Sequence, residues 1–395
     1  MEIFSKKFSA QRRALFGLSL GHFSIDLYAS LIIPLYPLIT SKLGINLASI
    51  SFIIALGHLL SSVMQPAFGF ISDKLKNRVF MVWGLVLSSL CIPLTVISKS
   101  VLFFIILLLS GMIGNACFHP QVSALVKDFN KNNPNLSSDM GIFLGLGSIG
   151  YAVGPCISTA IVNAYSEVAL LWMIIFGISV CVFIYFVVPK MPSKDCYIKE
   201  NFFFIMKEIL KNKICMYLMV VSIVKSAVSI SFGTYIPFLL QDSGFSLTQT
   251  GIIVTLFLIS GGIGTILSSK IEKYINANGI IALSFLTILP LVIIFLYVLN
   301  YNKYFAVMLF ILTGFFILLS VGIILVYAQK AMPKYTGVIS GVMQGFSWGL
   351  GALFLAPMGI IGQHFGVEKI LILMATIAFI IGLYTVKHKC LNNIK

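Results

Sequence analysis

Charge is what this sequence has least of. Only 10% of its 395 residues are Asp, Glu, Lys or Arg, and acids are the scarcer kind, 12 against 27 bases. A soluble chain of this length needs far more charge to clothe its surface, so a water-soluble globular protein is excluded. The signatures of soluble chemistry are missing as well. No G-x-x-x-x-G-K-[ST] run is present, which argues against an ATP-driven pump. No nucleophile–base constellation and no metal-ligand spacing stands out, so neither an enzyme nor a metal centre is expected, and no cofactor is implied. The cysteines Cys91, Cys117, Cys156, Cys181, Cys196, Cys215 and Cys390 form no CxxC. Most lie in apolar runs, where cysteine acts as a small hydrophobe.

What the chain has in excess is apolar surface, with 59% hydrophobic residues and a mean hydropathy of +1.03. Lipid is the solvent such a chain needs. A helix crossing the hydrocarbon takes about 20 apolar residues. The apolar runs predict spans over 12–37, 48–72, 77–97, 101–126, 138–163, 169–189, 213–240, 248–270, 279–299, 304–330, 336–363 and 367–387. This is an all-α membrane protein of twelve transmembrane helices. The first run follows Lys6, Lys7, Arg12 and Arg13 but lacks a small-residue cleavage pattern, so it reads as an uncleaved span.

A net charge of +15 can signal nucleic-acid binding. Here the basic residues sit in short gaps between apolar runs, so no nucleic-acid partner is expected. With both termini cytoplasmic, 22 of the 27 Lys and Arg fall on the inner side. Lys42, Lys99, Lys303 and Lys369 fall outside, and Lys225 lies within a span. That asymmetry predicts a multi-pass protein of the cell's inner (plasma) membrane with cytoplasmic termini.

Six spans precede and six follow the one long polar stretch, which holds Lys190, Lys194, Lys199, Lys207, Lys211 and Lys213. The organisation read from this is an N-terminal six-helix bundle, 1–189, a cytoplasmic linker, 190–212, and a C-terminal six-helix bundle, 213–395. The halves repeat. A shift of 200 residues places Pro37 on Pro237, Gly44 on Gly244 and Leu47 on Leu247. A shift of 202 places Gly147 on Gly349 and Pro155 on Pro357. Two six-span halves in parallel repeat are a known transporter layout.

Three groups of residues carry chemistry. Between spans two and three, Gly69 is followed by Asp73, Lys74, Lys76 and Arg78. Asp73 can cap a helix or pair with a cation across the seam between halves, making a conformational latch of Gly69, Asp73, Lys74 and Arg78. A solvated turn obeying the positive-inside rule is the plainer alternative. The second-half counterpart, Gly264 to Lys273, is degraded. In span five, Gly141, Gly145, Gly147, Gly150 and Gly154 precede Pro155, and span eleven repeats the theme with Gly337, Gly341, Gly345 and Gly349. Small residues at this spacing let helices pack closely. The third group is ionisable residues inside spans, which are functional candidates because charge in hydrocarbon is expensive. His22 and Asp26 lie one turn apart in span one, His119 in span four and Lys225 in span seven. His58 in span two is weaker, and helix–helix hydrogen bonding is the bland reading for all of them. The functional reading gives Asp26, His22, His119 and Lys225 proton coupling and the lining of a substrate cavity near mid-membrane.

Several of these elements resemble the major facilitator superfamily. The Gly69–Asp73–basic turn is similar to its loop signature, and Gly150, Gly154 and Pro155 are similar to its antiporter motif. His22-Phe23-x-x-Asp26, Pro34-Leu35-x-Pro37-Leu38, Gln65-Pro66-x-x-Gly69 and Phe118-His119-Pro120 resemble the fosmidomycin-resistance family of efflux proteins. So do Gln329 through Pro333 with Gly337 and Gly341. The resemblance implies the major facilitator fold, two pseudo-symmetric six-helix bundles around a central cavity, and proton-driven export of a small, anionic or phosphonate-like molecule. Drug-exporting relatives elsewhere in the superfamily use an Arg in span four, which this chain lacks, and His119 is the candidate to take its place. The expected partners are a small-molecule substrate, protons and membrane lipid, with the chain acting as a monomer. Import of a metabolite on the same fold is the alternative, and a non-transporting membrane sensor or enzyme is the competitor from another class.

Overall fold

A computed structural model gives the fold and describes residues 2–75, 78–129, 136–189, 202–388 and 391. Among them are 12 helices long and apolar enough to cross a membrane. They are Gln11–Leu43, Leu47–Gly69, Val79–Val96, Val101–Val126, Asp139–Ala164, Val168–Val187, Lys213–Asp242, Leu247–Ile271, Ala277–Leu299, Lys303–Ala331, Val338–Phe365 and Val367–His388, numbered here as spans one to twelve. No strand occurs among the described residues.

The boundaries match the apolar runs to within three residues except at the end of span one. That span was expected to stop at Pro37 and instead runs on to Leu43. Pro34 sits in a 3-10 turn, Ile33–Leu35, and Pro37 in the first turn of a new helix, Tyr36–Leu43. Proline in a first turn gives up an N–H that has no intrahelical partner, so the prolines bend this span rather than end it. A second feature was not expected. Within 190–212, Phe202–Lys211 forms a helix. Its Ile205 and Ile209 are buried, Phe204 and Leu210 are exposed, and Lys211 pairs with Glu208 at 2.9 Å.

The chain forms two compact units. One comprises Met1–Gly44 and Leu60–Asp195, the other Ile45–Leu59 and Cys196–Lys395. In the first, span one lies along span five. In the second, span seven lies along span eleven, and the start of span two packs with them. Tyr235 Oη donates to the Leu355 carbonyl at 2.7 Å and lies 3.0 Å from Ser51 Oγ. Gly359 makes room for that serine, since a Cβ there would come within 2.5 Å of Ser51 Cβ.

The repeat seen in sequence is a repeat of backbone geometry. Gly44 and Gly244 both close a helix with positive φ, +62° and +79°. Two residues on, each repeat starts its next helix with a polar cap. Asn46 Oδ1 accepts from Ser49 N at 2.8 Å, and Ser246 forms a reciprocal capping box with Gln249. Such caps satisfy amides that the helix itself leaves unpaired.

Gly44 isolates the conformational effect, because a Cβ there meets nothing within 4 Å. Gly44→Ala is expected to cost about 1 kcal/mol through its left-handed backbone alone, and Gly44→Asn less. Thermal melting of the purified protein in detergent should rank wild type, then Asn, then Ala.

Candidate functional site

Among the described residues, Asp26 is the one acid in the middle of a span, and Asp139, Asp242 and Glu368 stand at span ends. A helical rise of one turn places His22 on the same face. His22 Nε2 lies 3.2 Å from Asp26 Oδ2. His119, brought from span four, places its Nε2 3.3 Å from Asp26 Oδ1. Each carboxylate oxygen therefore has its own imidazole. The side chains are 7% exposed for His22, 18% for Asp26 and 24% for His119, so His119 is the most exposed of the three.

The orientation of His22 is fixed from behind. Its Nδ1 lies 2.9 Å from the Phe143 carbonyl, and its ring stacks on that of Phe143 with centroids 4.2 Å apart. A carbonyl oxygen only accepts, so Nδ1 carries the hydrogen. In neutral His22 the Nε2 lone pair would then face a carboxylate oxygen. The 3.2 Å contact is attractive only with a further positive charge in it, a proton on Nε2 or on Asp26 or a cation between them.

Span five closes the site. A Cβ on Gly147 would stand 2.5 Å from His22 Cε1 and 2.7 Å from Asp26 Oδ2. One turn on, a Cβ on Gly150 would overlap the Phe23 carbonyl, and one on Gly154 would come within 2.7 Å of the Leu27 carbonyl. These glycines put the two backbones in contact. Gly141 and Gly145 have nothing within 4 Å of an added Cβ, so they take no part. Pro155 lies inside the helix, and its carbonyl accepts from Ser158 and Thr159 at 3.0 and 2.9 Å.

The other predicted residues fall elsewhere. Lys225 belongs to the second unit, is buried, and has no hydrogen-bond or ion-pair partner among the described residues. Its Nζ lies 6.0 Å from the centroid of Trp348, whose Nε1 donates to His58 Nδ1 at 3.4 Å. Nothing in the sequence pattern marks Trp348 beyond its being one of three tryptophans. It follows a π-helical stretch, Gly341–Phe346, that departs from the regular helix expected of span eleven. Ser347 and Ser222 bond carbonyls of that stretch, Val342 and Met343, at 2.9 and 2.6 Å. The backbone approach to span seven is made by Gly351, where a Cβ would come within 2.7 Å of Ala227 N.

Of the latch group, Gly69 rests on Pro120 at ordinary range, 3.4 Å for an added Cβ. The side chains of Asp73 and Lys74 lie outside the described ones. Arg78 donates to the carbonyls of Tyr185, at 2.7 Å, and Val188 and lies over the Tyr185 ring, so it caps the end of span six. The residue that ties this corner together is Gln121, which accepts from Met81 N at 2.6 Å and donates to Ser72 Oγ at 2.8 Å.

The family profile of the Major Facilitator Superfamily matches residues 18–356. The chain belongs to the major facilitator superfamily. Its fold is the one that superfamily shares, twelve transmembrane helices in two pseudo-symmetric six-helix bundles. Among its relatives is the fosmidomycin resistance protein of Escherichia coli (strain K12), 25% identical over 364 residues that cover 90% of this chain and 87% of that one. Another is the quinolone resistance protein NorA of Staphylococcus aureus (strain COL), 23% identical over 371 residues, 89% and 88% of the two chains. The solved structure of a bacterial homolog of the human lysosomal transporter Spinster superposes with a TM-score of 0.78 at 13% identity, covering 97% of this chain and 98% of that one. This is a membrane transporter of the superfamily with efflux-type homologues.

The contrast within the span-five glycines gives a paired test. Gly150→Ala should destabilise the protein by about 1–3 kcal/mol through overpacking. Gly145→Ala should change the detergent melting temperature little, and equal losses in the two would remove the backbone contact as the reason for the motif.

Proposed function

We propose that this chain is a proton-coupled antiporter that exports a small anionic molecule. The observation that carries this reading is the Asp26 carboxylate held between two imidazole nitrogens at 3.2 and 3.3 Å inside a span. A transport cycle driven by protons needs a group that is charged on one side of the cycle and neutralised on the other. Asp26 is that group, His119 passes the proton to it from the accessible side, and His22 holds it in place. Histidine suits the task because its charge changes near physiological pH. The glycine and proline pattern of span five and the resistance-named relatives support antiport in the export direction.

Lys225 meets the substrate's negative charge. A lysine at a span centre costs about 2.5–3.5 kcal/mol on an insertion scale. Nothing among the described residues neutralises this one, and a bound anion would. The functional halves are residues 1–189 and 213–395, joined on the cytoplasmic side through 190–212, with both termini cytoplasmic in the inner membrane, as the charge asymmetry favours. The Gly69–Arg78 turn acts as the latch of the cycle, with Asp73 and Lys74 as its charged members. The protein works as a monomer.

Reconstituted into proteoliposomes, the wild type should drive uphill transport from an imposed pH gradient. Asp26→Asn should abolish that accumulation and leave counterflow exchange of substrate measurable. Uphill transport by Asp26→Asn from the pH gradient alone would move the coupling role to His119.

Lys225→Ala should weaken binding of an anionic compound by about tenfold or more, the worth of one charge-assisted hydrogen bond. Binding of its neutral ester should change little. Comparing a phosphonate with its ester by thermal shift reads the difference, and parallel losses for both would remove Lys225 as the anion's partner.

A further inference from the structure

We infer that His22, Asp26 and His119 form a binding site for one divalent transition-metal ion of borderline softness, Zn²⁺ or Co²⁺. The three side chains offer ligand atoms that all lie within 4.8 Å of one another. In a tetrahedral site with bonds of about 2.0–2.1 Å, neighbouring ligand atoms stand about 3.3 Å apart. The two nitrogen–oxygen separations here, 3.2 and 3.3 Å, are of that length. The remaining separation, between the two imidazoles, is no more than 4.8 Å, and His119 is the most exposed of the three and the one freest to adjust.

The donor set decides the kind of ion. Two imidazoles and one carboxylate suit zinc, cobalt, nickel or ferrous iron. Calcium and magnesium require oxygen donors throughout and are poorly served. Three protein ligands also leave a coordination position open for water.

The surroundings of His22 point the same way. Its Nδ1–H is committed to the Phe143 carbonyl at 2.9 Å, and its ring is held against Phe143. Metal-ligating histidines have this arrangement, in which an outer hydrogen bond fixes the tautomer and directs the free nitrogen at the ion. That nitrogen faces a carboxylate oxygen at 3.2 Å, a contact that a metal ion can fill in place of a proton. Gly147 lets the backbone of span five pack against the pair, because any side chain there would overlap His22 Cε1 and Asp26 Oδ2.

Bound in this way, the ion ties span four to span one. In a transporter coupled through Asp26 it is an inhibitor. That consequence rests on the proposed function; the binding itself does not.

The test uses the full-length protein, purified in detergent with its affinity tag removed. Equilibrium dialysis should find one Co²⁺ per chain, displaced by Zn²⁺ and not by Mg²⁺, with the visible absorption of cobalt in a nitrogen–oxygen site. Asp26→Asn and His119→Gln should each weaken binding by more than the roughly 10–100-fold that loss of an outer-shell partner costs. His119→Cys keeps a ligating atom and should retain binding, which separates lost coordination from lost folding. A double variant, His364→Gln with His388→Gln, should bind as the wild type does. Absence of stoichiometric binding overturns the site, and so does binding that survives both Asp26→Asn and His119→Gln. Failure of the Asp26→Asn transport experiment leaves this result untouched, so the two readings stand or fall separately.

Discussion

A carboxylate in the middle of a membrane-spanning helix must be answered by positive charge where it stands. Much of the first unit follows from meeting that demand at Asp26. One imidazole comes from the same helix a turn away, and the second from span four. The first would collapse onto the acid in any of several orientations were it not fixed by the Phe143 carbonyl and ring. That fixing requires span five to lie against span one, which requires glycine at 147, 150 and 154. The motif read in sequence as helix packing is thus also what builds the ionisable site. The small residues bring the backbone close, and the closeness delivers a backbone acceptor to His22.

The second unit solves the opposite problem with less. Lys225 has an indole near it and no counter-charge among the described residues. The indole is held by His58 and presented just after a π-helical stretch. Single π-turns within α-helices recur at functional sites because they shift the register of the side chains that follow. Here the shift precedes Trp348. Serines from the same span and from span seven occupy carbonyls of the irregular turn, so the distortion is supported. One repeat thus sets its acid beside two imidazoles, and the other leaves its base without a counter-charge among the described residues.

The fold was legible because lipid imposes a coarse rule. A span needs a long apolar run, and interruptions are confined to its ends. All twelve spans followed from that rule, while the repeat came from the 200-residue offset through Gly44 and Gly244, whose shared positive φ explains why glycine recurs. Span one outran its predicted end because proline ends a helix only where its missing N–H or its ring cannot be accommodated, and at Pro34 and Pro37 they can be. The lysines of Phe202–Lys211 give the segment the look of a polar linker, although its apolar residues have helical spacing.

The site was legible only in part, and for a physical reason. Cost singles out ionisable residues in hydrocarbon, so Asp26, His22, His119 and Lys225 could be named without knowing their neighbours. What cost does not reveal is which neutral groups orient them. Phe143 contributes a backbone carbonyl, which any residue could supply, and its ring alone gives no hint of the contact. Gln121 and Gly351 look ordinary along the chain and matter only through what the fold sets against them. Arg78 shows the converse. Sequence proximity grouped it with Asp73, yet its guanidinium bonds the end of span six, because free carbonyls at a helix end are a strong local acceptor for a nearby cation. Among the described residues Asp26 is the one mid-span acid and Lys225 the one mid-span lysine or arginine, which is why cost alone could name them while saying nothing of what surrounds them.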